Sequence, residues 1–413
     1  MDTLYPCCAG LDVHKETVVA CVRTMSGGGK VHQEVRTFRT ETSGLLALAD
    51  WLTDEGVTHA AMESTGVYWK PIWNILEGVL ELLLVNAEHI KQVPGRKTDV
   101  KDSEWIAQLL QCGLLKASFV PDRPVRELRD LTRQRVQLVR QKVQVSNRIQ
   151  KTLEDANIKL ASVASDVLGV SGRDMLRALV RGESDPVVLA ELARQRLRKK
   201  IPQLQEALLG EVTEHHRFLL GMLLDQVEFV EAQIARLGQR ITEVLPAPFA
   251  EAIERLETIP GIDRRAAQNI VAEIGADLKS FPSAGQLASW VGICPGNHES
   301  AGKRRSGRTT KGNTWLRVTL VQCAWAASHT KNTYLSAQYK RLAARRGKKR
   351  ALVAVGHTLL SIVYAVLKKK GTYQELGADY LDRQDKEGLA RRLLKRLGKL
   401  GLKVTVEPAE AVA

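Results

Sequence analysis

Acidic residues are missing from a long stretch of this 413-residue chain: between Ser300 and Gln374 there are 17 Lys or Arg and no Asp or Glu. Outside it, 44 basic residues (61 less 17) face 46 acidic ones, so the whole formal excess of +15 lies in that stretch. A solvated surface mixes both signs, so a one-signed region points to a polyanion. No amphipathic anchor accompanies it, which favours nucleic acid over membrane. Other absences narrow the chemistry. The six cysteines, at 7, 8, 21, 112, 294 and 323, form no C-x-x-C pair and have no paired histidines nearby, so neither a zinc site nor a disulfide framework is indicated. No G-x-x-x-x-G-K-[ST] loop occurs; the run SGGGK at 26–30 has the wrong spacing and reads as a hairpin turn, leaving ATP use unsupported. The amino terminus lacks a basic start followed by an apolar stretch. The longest apolar segment, 351–367, is interrupted by Gly356 and His357 and reads as a buried helix. A cytoplasmic chain without a membrane partner is expected.

What is present begins with four carboxylates. Asp12 ends a small apolar run in CCAGLDVHKE, Glu63 closes THAAME, and Asp99 and Asp102 stand three apart in KTDVKDSEW. At a helix start, residues i and i+3 share a face. Such a cluster repels itself unless cations occupy it, and two divalent ions about 3.5–4 Å apart clamp the attacking and leaving oxygens of a phosphodiester. Against this stands the ordinary reading, in which an Asp at a strand end is a turn or cap residue. His14, His215 and His216 read as polar surface residues. Trp69 and Trp73, four apart, read as core.

The first 120 or so residues alternate strand and helix patterns. Strands are expected near Cys7–Val13, Val18–Arg23, Val31–Phe38, Thr58–Met62 and Val79–Val85, and helices near Ser43–Asp54, Val67–Leu76 and Lys101–Gln111. Short turns followed by βαβ crossings predict a mixed sheet with helices packed on it. From about Val125 to Val244 strand patterns vanish. Leu131, Leu138 and Val145 recur every seven residues, and Leu223, Val227, Val230, Ile234, Leu237, Ile241 and Val244 alternate steps of four and three. That is a heptad seam, open to either an intramolecular hairpin or a dimeric coiled coil. LETIPGIDRRAAQNIVAEIG then reads as a helix-hairpin-helix, whose Gly261 turn would offer backbone N–H groups to a phosphate. The expected domains are 1–122, 123–246, 247–376 and a basic peripheral tail, 377–413: an α/β domain followed by α-helical ones.

The loop from Pro295 to Asn313 is the second candidate centre. Ser300 and Ser306 lie among Lys303, Arg304, Arg305, Arg308 and Lys311, with Arg317 just beyond and Gly302, Gly307 and Gly312 allowing close backbone approach to a ligand. Guanidinium groups would stabilise the charge that develops as a serine attacks a phosphate. Either serine could equally be a phosphate contact.

The succession D-V-H-K, M-E-S-T-G-V-Y-W, K-T-D-x-x-D, I-P-G-I, L-A-S-W-V-G-I-C-P-G, E-S-A-G-K-R-R-S-G-R and K-G-N-x-x-L-R resembles the DEDD transposases of the insertion-sequence one-ten family, over roughly residues 7–330. The resemblance implies a ribonuclease H-like (resolvase-type) domain carrying the acids, here Asp12, Glu63, Asp99 and Asp102, and a carboxy-terminal domain carrying a catalytic serine, here Ser300. It further implies Mg²⁺, two ions in the expected arrangement; DNA partners at element ends and target; a bridging non-coding guide RNA; and a homodimer or homotetramer. Competing readings are a resolvase-like nuclease acting by hydrolysis, and a non-catalytic nucleic-acid-binding protein. A DEDD exonuclease needs a second acid two residues after Asp12, where His14 stands.

Overall fold

Among the described residues, five strands and four helices build the first of two units, Met1–Pro121 and Asp122–Ala413. The computed structural model describes residues 3–25, 30–64, 66–92, 101–295, 298–300, 303–402 and 404–405, with the backbone alone for 88, 91–92, 298–300 and 303–306. In the first unit, β1 (Cys7–Val13), β2 (Thr17–Met25) and β3 (Val31–Arg39) form an antiparallel meander. After α1 (Thr42–Asp54), β4 (His59–Glu63) adds parallel to β1; after α2 (Trp69–Leu76), β5 (Glu81–Val85) adds parallel to β4. The order is therefore β3-β2-β1-β4-β5, with β1 central.

Alternation along β1 and β4 decides what each face does. Leu11, Val13, Ala60 and Met62 point to one side, where they bury Leu45, Leu48 and Leu52 of α1 and Ile72 and Leu76 of α2. Trp73 is buried in this core, and Trp69 packs against it. Cys8 and Ala61 point to the other side, against Trp105, Ile106, Leu109 and Leu110 of α4 (Asp102–Gln111), which follows the short α3 (Ala87–Gln92). Gly10 is why α4 can lie so close: a Cβ there would run into the Ser103 carbonyl and the backbone of Ala107, 2.9 Å from its Cα.

The second unit is helical apart from one small hairpin. The long α5 (Arg123–Asp155) leads into a cap of α6 (Leu160–Val163), α7 (Val170–Val180), α8 (Pro186–Glu191), a 3-10 turn and α9 (Ile201–Ala207), and α10 (Glu214–Val244) returns. Val145, Ile149 and Leu153 of α5 meet Leu220, Leu224 and Val227 of α10 inside the cap core, whereas Leu128 meets Ile241 at the other end. Early residues of one helix thus face late residues of the other: the heptad seam closes within the chain as an antiparallel pair. His216 caps α10 with Thr213 and lies 3.0 Å from Asp155 through Nε2.

Next come α11 (Ala247–Glu257), α12 (Arg264–Ile274) and α13 (Ala284–Val291), then β6 (His298–Ser300) and β7 (Lys303–Ser306). The unit continues with α14 (Thr314–His329), α15 (Tyr334–Arg346) and α16 (Lys348–Lys369), and ends with α17 (Tyr380–Gln384) and α18 (Lys386–Lys399), neither of which buries a residue. By length and composition α16 alone among the described residues could cross a membrane. Its Ala351, Val355, Leu359, Leu360 and Val363 are buried to 0 % exposure in the protein interior, as expected of a core helix. The six cysteines are free, and burial pushes Cys8, Cys21 and Cys323 up to about 12, so these stay thiols at neutral pH.

Candidate active site

In the first unit Asp12 and Glu63 stand at the ends of two adjacent parallel strands. The β1–β4 ladder closes with Leu11 opposite Met62, and Asp12 and Glu63 are the next residue on each strand. Since Leu11 and Met62 face α1 and α2, alternation turns Asp12 and Glu63 to the face covered by α4. Asp102 is the first residue of α4, whose close packing at Gly10 brings its amino-terminal end to this edge. The helix dipole favours Asp102 and Glu104 in that first turn. Burial raises the Asp12 pKa, the His14 charge lowers it, and the Asp102 charge raises it again, so Asp12 and Asp102 interact electrostatically.

Lys101, with ψ 150°, is extended, so α4 starts at Asp102; Asp99 lies outside the described residues. His14 is exposed, as expected of a polar surface residue, and its Nε2 sits 3.2 Å from Asp12 Oδ2. A two-residue spacing along a strand returns to the same face, which was the available signal.

Carboxylate oxygens are hard ligands suited to Mg²⁺, and an acid raised first by burial and then by a like charge is one that a cation would relieve. The donor chemistry therefore fits a divalent ion. Among the described residues, however, no group of three or more His, Cys, Asp or Glu is close enough to hold one.

In the second unit, β6 and β7 pair antiparallel, with Ser300 opposite Lys303 next to the turn and Ser306 opposite His298 at the open end. Arg304 and Arg305 lie within β7. The loop is anchored beyond the hairpin: Pro295 bridges to Thr309. Asn313 caps α14 by accepting the Leu316 N–H (3.0 Å) and donates from Nδ2 to Glu273 Oε2 (2.7 Å).

Glu273 is a hub that sequence reading missed. It is 2 % exposed and takes both arms of Arg133, at 2.7 and 2.9 Å, with Arg129 Nε 3.4 Å away. One acid in an amphipathic helix looks like any other, so nothing local marked it. Arg135, also buried, donates to Gln268 (2.6 Å) and Asn269 (3.0 Å).

Two glycines read as ligand contacts have packing roles. At Gly261, where φ is +87°, a Cβ would strike the Cys323 carbonyl and lie 2.6 Å from the Ala327 nitrogen. At Gly312 it would lie 2.6 Å from the Val291 carbonyl. Arg308 and Lys311 are exposed on the loop, and Arg317 donates to the Thr310 carbonyl at 3.4 Å. Beside the loop opens a groove of about 1100 Å³, lined by Arg308 together with Arg346, Lys349, Arg350 and His357 from α15 and α16. Its last four residues are additions the sequence did not single out.

Comparison with known proteins gives this pair of sites a context. The family model DEDD_Tnp_IS110, described as a transposase, matches residues 9–158, and that of the transposase IS116/IS110/IS902 family matches residues 253–340. The chain is 27 % identical to the "Probable family 20 transposase" of Pseudomonas aeruginosa over 321 residues, 76 % of this chain and 85 % of the relative. It is 26 % identical to the transposase for insertion sequence element IS1111A of Coxiella burnetii, over 70 % of this chain and 72 % of the relative. A pilin gene-inverting protein of Moraxella bovis is 31 % identical over 29 % of this chain and 38 % of the relative. With separate matches on its sheet unit and on the helices around its basic loop, the chain belongs to the IS110/IS116 family of transposases, enzymes that cut and rejoin DNA.

Proposed function

We propose that this transposase cuts DNA with a serine nucleophile, Ser300, at a phosphate held by Asp12, Glu63, Asp99 and Asp102 through bound Mg²⁺. The reading rests chiefly on Asp12 and Glu63 ending adjacent parallel strands, with the charge of Asp102, the first residue of α4, acting on Asp12. Mg²⁺ bound there would supply charge neutralisation on the phosphate oxygens. The Ser300 Oγ attacks phosphorus and loses its proton; the bond to one sugar oxygen breaks, and that oxygen is protonated as it leaves. The serine–phosphate ester conserves the energy of the broken bond, so a second strand's hydroxyl can reverse the step on a new partner without ATP. Lys303, Arg304, Arg305, Arg308, Lys311 and Arg317 grip the backbone around the reacting phosphate. The Gly261 turn, read as the phosphate-binding element of a helix-hairpin-helix, holds DNA further out. A non-coding RNA guides the choice of element ends and target, and the protein acts in the cytoplasm as a homodimer or homotetramer with ribonuclease H-like amino-terminal domains.

The test combines the protein, Mg²⁺, DNA carrying the joined element ends, a target duplex and the transcript flanking the element. Recombinant product and an adduct that survives denaturation are expected. Free ends without any adduct would replace the serine reading with hydrolysis, and recombination without the transcript would remove the RNA guide.

A further inference from the structure

The second unit contains a cleft that neither the acids nor the serine loop uses. Its volume is about 760 Å³, and its walls are α5, the Gly261 turn with the start of α12, and α14. Val318, Gln322 and Trp325 line the α14 wall, at the i, i+4, i+7 spacing of one helical face. Trp325 is 58 % exposed, an unusual state for the largest apolar side chain. Its ring neighbour, His329, stands 4.5 Å away at 48°, which is tilted rather than stacked. Across the cleft are three guanidinium groups. Arg140 packs 5.3 Å over the Trp315 ring, Arg265 is exposed in the first turn of α12, and Arg135 is buried and held by Gln268 and Asn269.

The charge balance is lopsided. Asp263, the one carboxylate on the lining, already accepts the Ala266 N–H at 2.8 Å as the cap of α12. Burial, and then the Arg265 charge, bring Arg135 down to about 10, so it remains cationic at neutral pH. An open indole facing three guanidinium groups against one carboxylate fits a ligand with one flat apolar face and one anionic end. A nucleotide has both, but a duplex hides its base faces in the stack, so the strand must be unpaired. An enzyme that cuts and rejoins DNA makes unpaired strand as it works.

We infer that this cleft seats one unpaired nucleotide of single-stranded DNA, with its base on Trp325 and its phosphate toward Arg140 and Arg265. This depends on the chain being a DNA-processing enzyme, not on the assignment of Ser300.

The inference is tested on the full chain by fluorescence anisotropy with a labelled oligothymidine, a labelled hairpin duplex and the oligouridine counterpart, over a salt series. Trp325→Ala should weaken oligothymidine binding about tenfold, with duplex binding unchanged and Trp325→Phe close to wild type. Arg265→Gln should flatten the logarithmic salt dependence for the single strand by about 0.7, the share of one phosphate. Because Trp325 is exposed, the melting temperature should not move. Equal losses on single strand and duplex, an unchanged oligothymidine affinity in Trp325→Ala, or a loss confined to oligouridine would each overturn the inference. Should Trp325→Ala melt early, the Arg265→Gln salt slope decides: an unchanged slope overturns it.

Discussion

The two candidate sites are opposite in charge and are held in opposite ways. At the sheet edge, like charges are gathered by regular structure: β1 lies between two hydrogen-bonded neighbours, and Gly10 lets α4 press its first residue toward Asp12. The serine hairpin has only three- and four-residue strands, and the network of Arg133 and Asn313 around buried Glu273 fixes the loop from outside. A sheet can hold groups that repel because its own ladder bears the strain. A loop borrows its order from neighbours, so its precision depends on contacts that carry no chemistry.

Breaking either side chemically should give the largest effects. Asp102→Asn and Ser300→Ala should each lower recombination at least about a thousandfold, the scale of losing a metal ligand or a nucleophile. Only Ser300→Ala should abolish the denaturation-resistant adduct while leaving Mg²⁺ binding by calorimetry intact. The support of the loop should fail next. Glu273→Ala leaves the half-buried Arg129 and Arg133 without their carboxylate, at a cost of about 1.5–3 kcal/mol in denaturant unfolding of the second unit. The unfolding of the first unit should be unaffected.

Gly10→Ala is the matching change on the sheet side. Overpacking against α4 should cost about 1–3 kcal/mol, and because the helix must shift, Mg²⁺ affinity should fall along with stability. Smaller still, Arg346→Gln or Arg350→Gln in the groove should each reduce the logarithmic salt slope for duplex DNA by about 0.9.

Asp12→Asn separates charge from packing. The folded Asp12 pKa lies above its unfolded value, so the wild type loses stability as pH rises through the raised pKa. Metal-free Asp12→Asn should therefore melt above the wild type at pH 7, and the gain should vanish below the ordinary carboxylate pKa of about 3.9. A lower melting temperature at pH 7 would show that His14 outweighs burial and Asp102.

Much of the frame was legible in the sequence because period-two and period-3.6 patterns report the face that an element buries. The strand expected over Cys7–Val13 is β1 itself, and the seam through Val227, Val230 and Ile241 is buried. Patterns do not report what packs on that face. Hence the hairpin partner of α5 stayed open, and Glu273, Trp325 and the packing of Gly312 against Val291 were invisible. The places of Asp12 and Glu63 at the ends of central strands were legible; the true start of α4, one residue past an extended Lys101, was not.

The antiparallel pair of α5 and α10 also sets a length. Leu153 in the cap core follows Leu128 at the junction by 25 residues (153 less 128) of α5, which at about 1.5 Å per residue is roughly 38 Å. In the metric of B-form DNA, at about 3.4 Å per base pair, that is some 11 base pairs. Whatever the cap touches is therefore offset from the Leu128 end by about one turn of duplex, a spacing that seven-residue insertions could lengthen while keeping the seam in register.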